Sequence, residues 1–520
     1  MQNTENLIIY DINLPSFFDS DGDGIGDLIG VMQQLPYVSS LGVTCISLGK
    51  VFERSDLDSI YATTDFRKTD LRFGDMNDLE SLISSAHEAG LTVLLPIPIC
   101  AVSPSHPWFV NASSFAARNE YNLYKDYFIW KKEKTKVPSK TRKYFCNDST
   151  GEWYLATEDG YPILNLDNPR VRREITDTIE FWRQKGFDAF SLVGVDLSIK
   201  IAEVSSENNT GKISEDIFEV GREAYKVLRD IREKGVLGDG CELYLTDTTI
   251  DDNTIPYLLG DPLLADKVER TKVIEETEYD NKEKFKLATF LDRCLRSSSP
   301  QIRTKICNVF EDSEHERLLA HLLTRPEHHS SATKAMSLLF FTLPGIHRVH
   351  QGQEIGMLDR LNGKKPTKDL PMQWDNRMNA GFTAARFSWR AVHANYSRIN
   401  VVSEELDSES PLHFFRNMIA FRNANPMLIS ADTQVIPSGR KDVCAFLRVQ
   451  GDEKLFIVCS FSDKEINFAL PAELLRERSE CILSNYSIVS KSLHKTIGLR
   501  PYEARIYAFN TVKKDVKLLR

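Results

Sequence analysis

Four aspartates crowd one short stretch near the N-terminus, Asp19-Ser-Asp-Gly-Asp-Gly-Ile-Gly-Asp27. Carboxylates at Asp19, Asp21, Asp23 and Asp27, with the Ile25 carbonyl between them, supply an all-oxygen donor set of the kind a hard divalent cation takes. Glycines at 22, 24 and 26 let the backbone wrap tightly around such an ion. The spacing half-matches an EF-hand loop, but the twelfth position is Gly30 rather than Glu, and a strand rather than a helix precedes it, so that reading fails. Without an ion the stretch is a solvated acidic turn. The nine cysteines show no CxxC spacing, and Cys45, Cys307, Cys444 and Cys459 lie inside apolar runs. They read as reduced, buried thiols rather than as metal ligands or a disulfide framework. The Lys-rich section 131–143 reads as a solvated loop, with a phosphate- or partner-binding patch as the alternative.

The elements that must position these residues alternate in type. Strands are expected at 7–12, 43–48 and 92–99, and helices at 28–41 and 76–89, each helix closed by a glycine at 42 or 90. Buried apolar strands alternating with capped helices indicate a parallel sheet. Residues 102–169 break the rhythm with aromatic and polar residues and read as an insertion. The alternation resumes with a helix at 170–185 and strands at 187–192, 243–246, 305–310 and 345–350. From about residue 433 short alternating strands (443–449, 455–461, 466–470, 505–509) indicate a small antiparallel β domain.

Several spaced motifs then carry a resemblance. They are the Asp19–Asp27 loop, His106-Pro-Trp-Phe109, Asp126-Tyr-Phe-Ile-Trp130, Leu164-Asn-Leu-Asp-Asn-Pro169, Gln351-Gly-Gln-Glu-Ile-Gly-Met357, Pro371-Met-Gln-Trp-Asp375 and Asn379-Ala-Gly-Phe-Thr383. Collinear along the chain, they resemble the oligo-1,6-glucosidase, α-glucosidase and sucrose-isomerase branch of the α-amylase superfamily, glycoside hydrolase family 13. The resemblance implies an α/β fold: a (β/α)8 TIM barrel (1–102 and 170–432), an inserted domain after strand three (103–169) and a C-terminal antiparallel β domain (433–520). It implies a structural Ca2+ in the Asp19–Asp27 loop, away from the sugar pocket. It also implies retaining chemistry, with Asp as nucleophile after strand four, Glu as acid after strand five and a further Asp after strand seven. Such chemistry needs two carboxyl groups about 5–5.5 Å apart.

At those positions this sequence departs from the family. The strand-four signature Asp-Gly-Phe-Arg-x-Asp becomes Asp188-Ala-Phe-Ser-Leu-Val193, so Ser191 stands for the arginine and Val193 for the nucleophile. Valine can neither attack an anomeric carbon nor carry charge. Asp196, three residues on, is expected to point elsewhere. The acid's place falls on Thr246 or Asp247, with ungapped counting from Gly260 favouring Thr246. After strand seven, Ser313 and Glu314 replace the family's histidine and aspartate. Pro96, Cys100 and Ala101 stand where Asp, Asn and His are usual after strand three. Of the Gly-Tyr-Asp that grips a terminal glucose, Ile60-Tyr61-Ala62 keeps only the stacking tyrosine. No catalytic residue is therefore expected, and Tyr61 alone remains for substrate binding.

Function does not follow from fold, because activity lives in the site. The chain is read as a catalytically inactive, α-glucosidase-like protein with a binding or regulatory role linked to carbohydrate. The alternative is an active α-glucosidase or glucosyltransferase using rearranged carboxylates, Asp247 and Glu314. A third reading, a heavy-chain-like accessory of an amino-acid transporter, needs a membrane anchor, and no apolar run of suitable length is seen. A net charge of −9 argues against nucleic acid as a partner. With no signal-peptide pattern, a cytoplasmic location is expected. An α-glucoside or small sugar, or a protein, is the expected partner.

Overall fold

The computed structural model describes residues 6–115, 122–134, 142–194, 222–238, 240–246, 267–271, 305–313, 316–362, 365–440, 442–487 and 492–509. Eight parallel strands carry the framework: β1 (Ile8–Asn13), β2 (Cys45–Gly49), β3 (Thr92–Pro98), β4 (Ala189–Val193), β5 (Glu242–Thr246), β6 (Lys267–Thr271), β7 (Ile306–Val309) and β8 (Ile346–His350). They form a closed barrel in the order β1-β8-β7-β6-β5-β4-β3-β2. Every residue of β1, β7 and β8 is buried, as expected of strands covered on both faces. Helices end where the sequence predicts. Gly42 and Gly90 take the left-handed conformation that stops a helix at φ 86° and 78°, and Asp75 starts the helix Met76–Glu88 with a complete capping box.

The chain divides into two compact units. The first comprises residues 1–26, 34–45 and 271–520. Here β8 lies between β7 and β1, with Tyr10 opposite Val349 and Asp11 opposite His350. The helix His329–Thr342, ten of whose residues are buried, packs on the helix Pro411–Ala424 and on two strands of the C-terminal sheet. That five-stranded antiparallel sheet is built from β9 (Asp432–Val435), β10 (Val443–Gln450), β11 (Glu453–Ser460), β13 (Ser479–Ser484) and β15 (Ala504–Phe509), ordered β9-β10-β11-β15-β13. A two-stranded ribbon of β12 (Ile466–Ala469) and β14 (Thr496–Leu499) completes the domain.

The second unit comprises residues 27–33 and 46–270. Its parallel strands run β3-β4-β5-β6 with no break in register. The inserted region carries a three-stranded antiparallel sheet of Trp130–Lys131, Trp153–Thr157 and Arg142–Cys146. Part of the Lys-rich section, expected to be loop throughout, is therefore strand. Lys131 pairs with Trp153, and Lys143 pairs with Ala156 while its ammonium reaches Glu158 at 2.7 Å. His106-Pro-Trp-Phe109 anchors the insertion through rings: Trp108 meets Tyr127 edge-on at 5.3 Å, and Phe109 meets Phe128 at 5.0 Å. Among the described residues no helix is long and apolar enough to cross a membrane.

Candidate functional site

Active barrels place their chemistry at the C-terminal ends of the strands. At the end of β4 the register sets Val193 directly between Pro98 of β3 and Thr246 of β5. Its carbonyl accepts the Ile99 amide at 3.2 Å. Ser191, two residues back, is completely buried opposite Pro96. Asp188, at the start of the strand-four motif, serves the fold: its carboxylate accepts the Val93 amide at 2.7 Å and pairs with His87 at 2.9 Å.

Beyond Val193 the backbone turns at Gly194 with φ 78°. A Cβ there would stand 2.6 Å from both the Tyr61 hydroxyl and the Cys100 sulfur. Only glycine fits, because both the backbone angle and the space forbid a side chain. Tyr61 is half-buried and packs with Cys100 and Tyr161 against the small apolar cluster of Ala101, Leu155 and Ile163. The ring centroids of Tyr61 and Tyr161 are 6.4 Å apart.

The loop that bears Tyr61 is tied to itself by two cations. Lys50, at φ 64°, donates to the carbonyls of Leu57 and Asp58 at 3.1 and 3.3 Å. Arg54 donates to the carbonyls of Asp56, at 2.7 Å, and Ser59. The Asp56 carboxylate accepts the Asp58 and Ser59 amides and the Tyr161 hydroxyl, the last at 2.9 Å. Partial burial pushes its pKa up, but these donors outweigh that and hold it below the usual carboxylate range. Asp56 is thus a fixed anion, unsuited to proton donation. Of the other sequence-derived positions, Thr246 is described only by its backbone, and Asp196, Asp247 and Glu314 lie outside the described residues.

The strand ends of the first unit carry buried charges, whereas the end of β4 carries none. Asp11 of β1 pairs with Arg348 at 2.5 Å and with His350 Nδ1 at 3.2 Å, all three buried. Burial alone would raise the Asp11 carboxyl. Arg348 and His350 overcome that and hold it far below the ordinary range. Beyond β7, Glu311 pairs with Arg317 at 3.0 Å, and the Arg317 amide donates to Asp359 at 2.5 Å. Burial raises the pKa of both Glu311 and Asp359. Tyr10 and Tyr37 donate to the buried Glu354 at 2.7 and 2.8 Å. Sequence reading missed this network. Its signals were the lone acidic residue of strand β1 and the three basic residues of the five in strand β8.

In the acidic loop the carboxylate oxygens of Asp19, Asp21 and Asp27 converge within 4.8 Å. Asp23 stands outside that group and accepts the Ile25 amide at 2.7 Å. Slight burial, and the neighbouring charges of Asp23 and Asp19, raise the Asp21 carboxyl. The loop is held by the later motifs. Asp19 accepts the Thr383 hydroxyl and its amide donates to the Phe382 carbonyl, while the Trp389 amide donates to the Gly24 carbonyl. Gln351 and Trp374 donate to the carbonyls of Ser16 and Phe17 at 3.0 and 2.7 Å. The Gln351–Met357 and Pro371–Asp375 motifs thus brace the chain that follows β1.

These strand ends and their loops match a known domain. The alpha amylase catalytic domain matches residues 12–431, and the alpha-amylase SusG C-terminal domain matches residues 443–506. The chain belongs to the alpha-amylase family. It is 26% identical to an oligo-1,6-glucosidase of Parageobacillus thermoglucosidasius over 97% of this chain and 98% of that one. It is 27% identical to the amino acid transporter heavy chain SLC3A1 of Rattus norvegicus over 86% of this chain and 69% of that one. The crystal structure of a trehalose-6-phosphate hydrolase from Bacillus licheniformis superposes with a TM-score of 0.83 at 21% identity, over 98% of this chain and all of that one. This alpha-amylase family chain is thus α-glucosidase-like in sequence over nearly its whole length.

Proposed function

We propose that this protein is a non-hydrolytic member of the alpha-amylase family, with a binding or regulatory role linked to carbohydrate. The observation that carries the reading is the end of β4. By its spacing from Asp188, Val193 is read as standing where the family's nucleophile is expected, and in support of that reading a side chain at the adjoining Gly194 would meet Tyr61 and Cys100. Loss of a catalytic nucleophile typically lowers the rate by roughly 10⁴–10⁶, about 5.5–8 kcal/mol of barrier. Asp56, which accepts the hydroxyl of the neighbouring Tyr161, is engaged by that hydroxyl and by the amides of its own loop. The likeness to a transporter heavy chain favours the same reading, since that relative is named for a role other than hydrolysis.

The same proposal includes a structural Ca2+ held by Asp19, Asp21 and Asp27. An all-oxygen set of three converging carboxylates suits a hard cation, and the ion would relieve their mutual repulsion. It would act on stability and not on chemistry.

The test is hydrolysis of 4-nitrophenyl α-glucoside, isomaltose, sucrose and trehalose-6-phosphate by the purified protein, beside Asp247→Asn and Glu314→Gln. The expected result is no turnover distinguishable from either variant. Turnover abolished by one of the substitutions would overturn the proposal and identify a rearranged acid or nucleophile.

A further inference from the structure

Seven large apolar side chains are exposed among the described residues, and four of them fall between residues 378 and 406 of the first unit: Met378 at 60%, Phe387 at 72%, Val402 at 52% and Leu406 at 85%. Apolar residues exposed singly need no explanation, but a cluster of this kind marks an interaction surface. Hydrogen bonds hold its segments side by side. The Val402 amide donates to the Trp374 carbonyl at 2.9 Å, and the Trp374 amide to the Ala380 carbonyl at 2.9 Å. The Asn379 side chain donates to the Ala385 carbonyl at 2.8 Å, which brings the segment of Met378 to that of Phe387.

The charges around these residues are sorted by sign. Residues 376–403 contain four arginines and no acid, whereas residues 404–409 contain four acids and no base. The Arg386 guanidinium lies over the Phe387 ring at 5.1 Å, and neither it nor the exposed Arg398 pairs with a carboxylate among the described residues. At the other end Glu404 is buried, and Glu405 is engaged by Arg416 at 2.5 Å. Asp407 and Glu409 stand exposed around Leu406, with the Asp407 carboxylate accepting the Glu409 amide at 2.9 Å.

We propose that this face docks a second copy of the chain about a two-fold axis, with the arginine-rich half of each copy against the acidic end of the other. A two-fold pairing uses the same surface on both partners, so that surface must complement itself. A face that is basic at one end, acidic at the other and apolar in its exposed side chains meets the condition when turned end for end. Phenylalanine, methionine and arginine are also among the types enriched where proteins meet. A partner of uniform charge would be attracted by one half and repelled by the other. The inference goes beyond the non-hydrolytic reading and does not depend on it, since the face shares no residue with the end of β4.

The experiment is sedimentation velocity of the full chain over roughly a hundredfold range of concentration. A monomer–dimer equilibrium is expected, and salt raised from about 0.05 to about 0.5 M should weaken it by screening the charges at the edge of the contact. Leu406→Asp and Phe387→Asp should each abolish the dimer, with circular dichroism verifying that each variant is folded. Arg386→Glu and Asp407→Arg should each weaken association about tenfold. The chain carrying both should recover it, because a two-fold contact sets each changed residue against the changed end of the partner. Leu71 is also exposed but lies outside this face, and Leu71→Asp should leave the dimer intact. A monomer at every concentration would overturn the proposal and leave the face to a different occupant. A dimer that survives Leu406→Asp and Phe387→Asp, or charge variants that fail to recover when combined, would overturn it as well.

Discussion

The end of β4 and the ends of β7, β8 and β1 belong to the same kind of strand in the same family, yet they hold opposite chemistry. At β4 the residues are Ser191, Val193 and Gly194, with Cys100 and Tyr61 beside the last. At β8 and β1 a buried acid is matched to an arginine and a histidine. A barrel interior therefore does not dictate polarity. It demands only that volume be filled and that each buried charge find a partner. One end meets the demand with uncharged side chains and the other with ion pairs. The two solutions should fail in different ways.

The largest expected effect lies in the charged region. Asp11→Asn leaves Arg348 buried without its anion and should destabilise the fold by about 3–5 kcal/mol, measured by urea unfolding. The double replacement Asp11→Leu with Arg348→Met should cost much less, because it removes both charges together. Equal losses in the two cases would show that the pair is not the determinant.

Next comes the pH dependence of Glu404, on the short helix Val401–Glu405, whose buried carboxylate accepts the Leu412 amide at 3.0 Å and whose pKa burial raises to about 8. A carboxyl whose folded pKa exceeds its unfolded value gives stability that is complete below about pH 4.5 and is lost as pH rises through about 8. Glu404→Gln should flatten that decline and stabilise the protein at pH 9 relative to wild type by on the order of 3 kcal/mol. A parallel decline in both proteins would assign it to another group.

Calcium should raise the melting temperature in a concentration-dependent way, worth about 2.7 kcal/mol at a hundredfold excess over its dissociation constant. Chelation should reverse it, and Asp19→Asn or Asp21→Asn should remove the response. A melting point indifferent to calcium would leave the loop a self-bonded acidic turn. The smallest effect belongs to the apolar end. Gly194→Ala forces a side chain onto a left-handed backbone beside Tyr61 and Cys100, at a cost of about 1–2 kcal/mol. A neutral outcome would mean that Tyr61 swings aside easily and that the space at β4 can reopen.

What was legible in the sequence follows from the range of each interaction. Strands β1, β2 and β3 announced themselves as apolar runs between turn signals, and the strand expected at 187–192 is Ala189–Val193. Strand β6 was missed because Lys267-Val-Glu-Arg-Thr271 has a single apolar residue and offers no run to detect. The inserted sheet was missed for a similar reason, its strand Arg142–Cys146 being nowhere fully buried. In the acidic loop four aspartates looked equivalent, and only the fold separates Asp23 from the three that converge. The Asp11–Arg348 pair spans 337 residues, a separation that no local pattern encodes.

The clasp between Asp19 and Thr383 also has a meaning in time. The two residues are 364 positions apart, so at about 5–20 residues per second the acidic loop leaves the ribosome roughly 20–70 s before its cover exists. Through that interval Asp19 has neither the Thr383 hydroxyl nor the Phe382 carbonyl to bond. The acidic loop is thus made long before the partner that secures it, and premature termination anywhere before residue 383 would release a chain in which that loop had never been fastened.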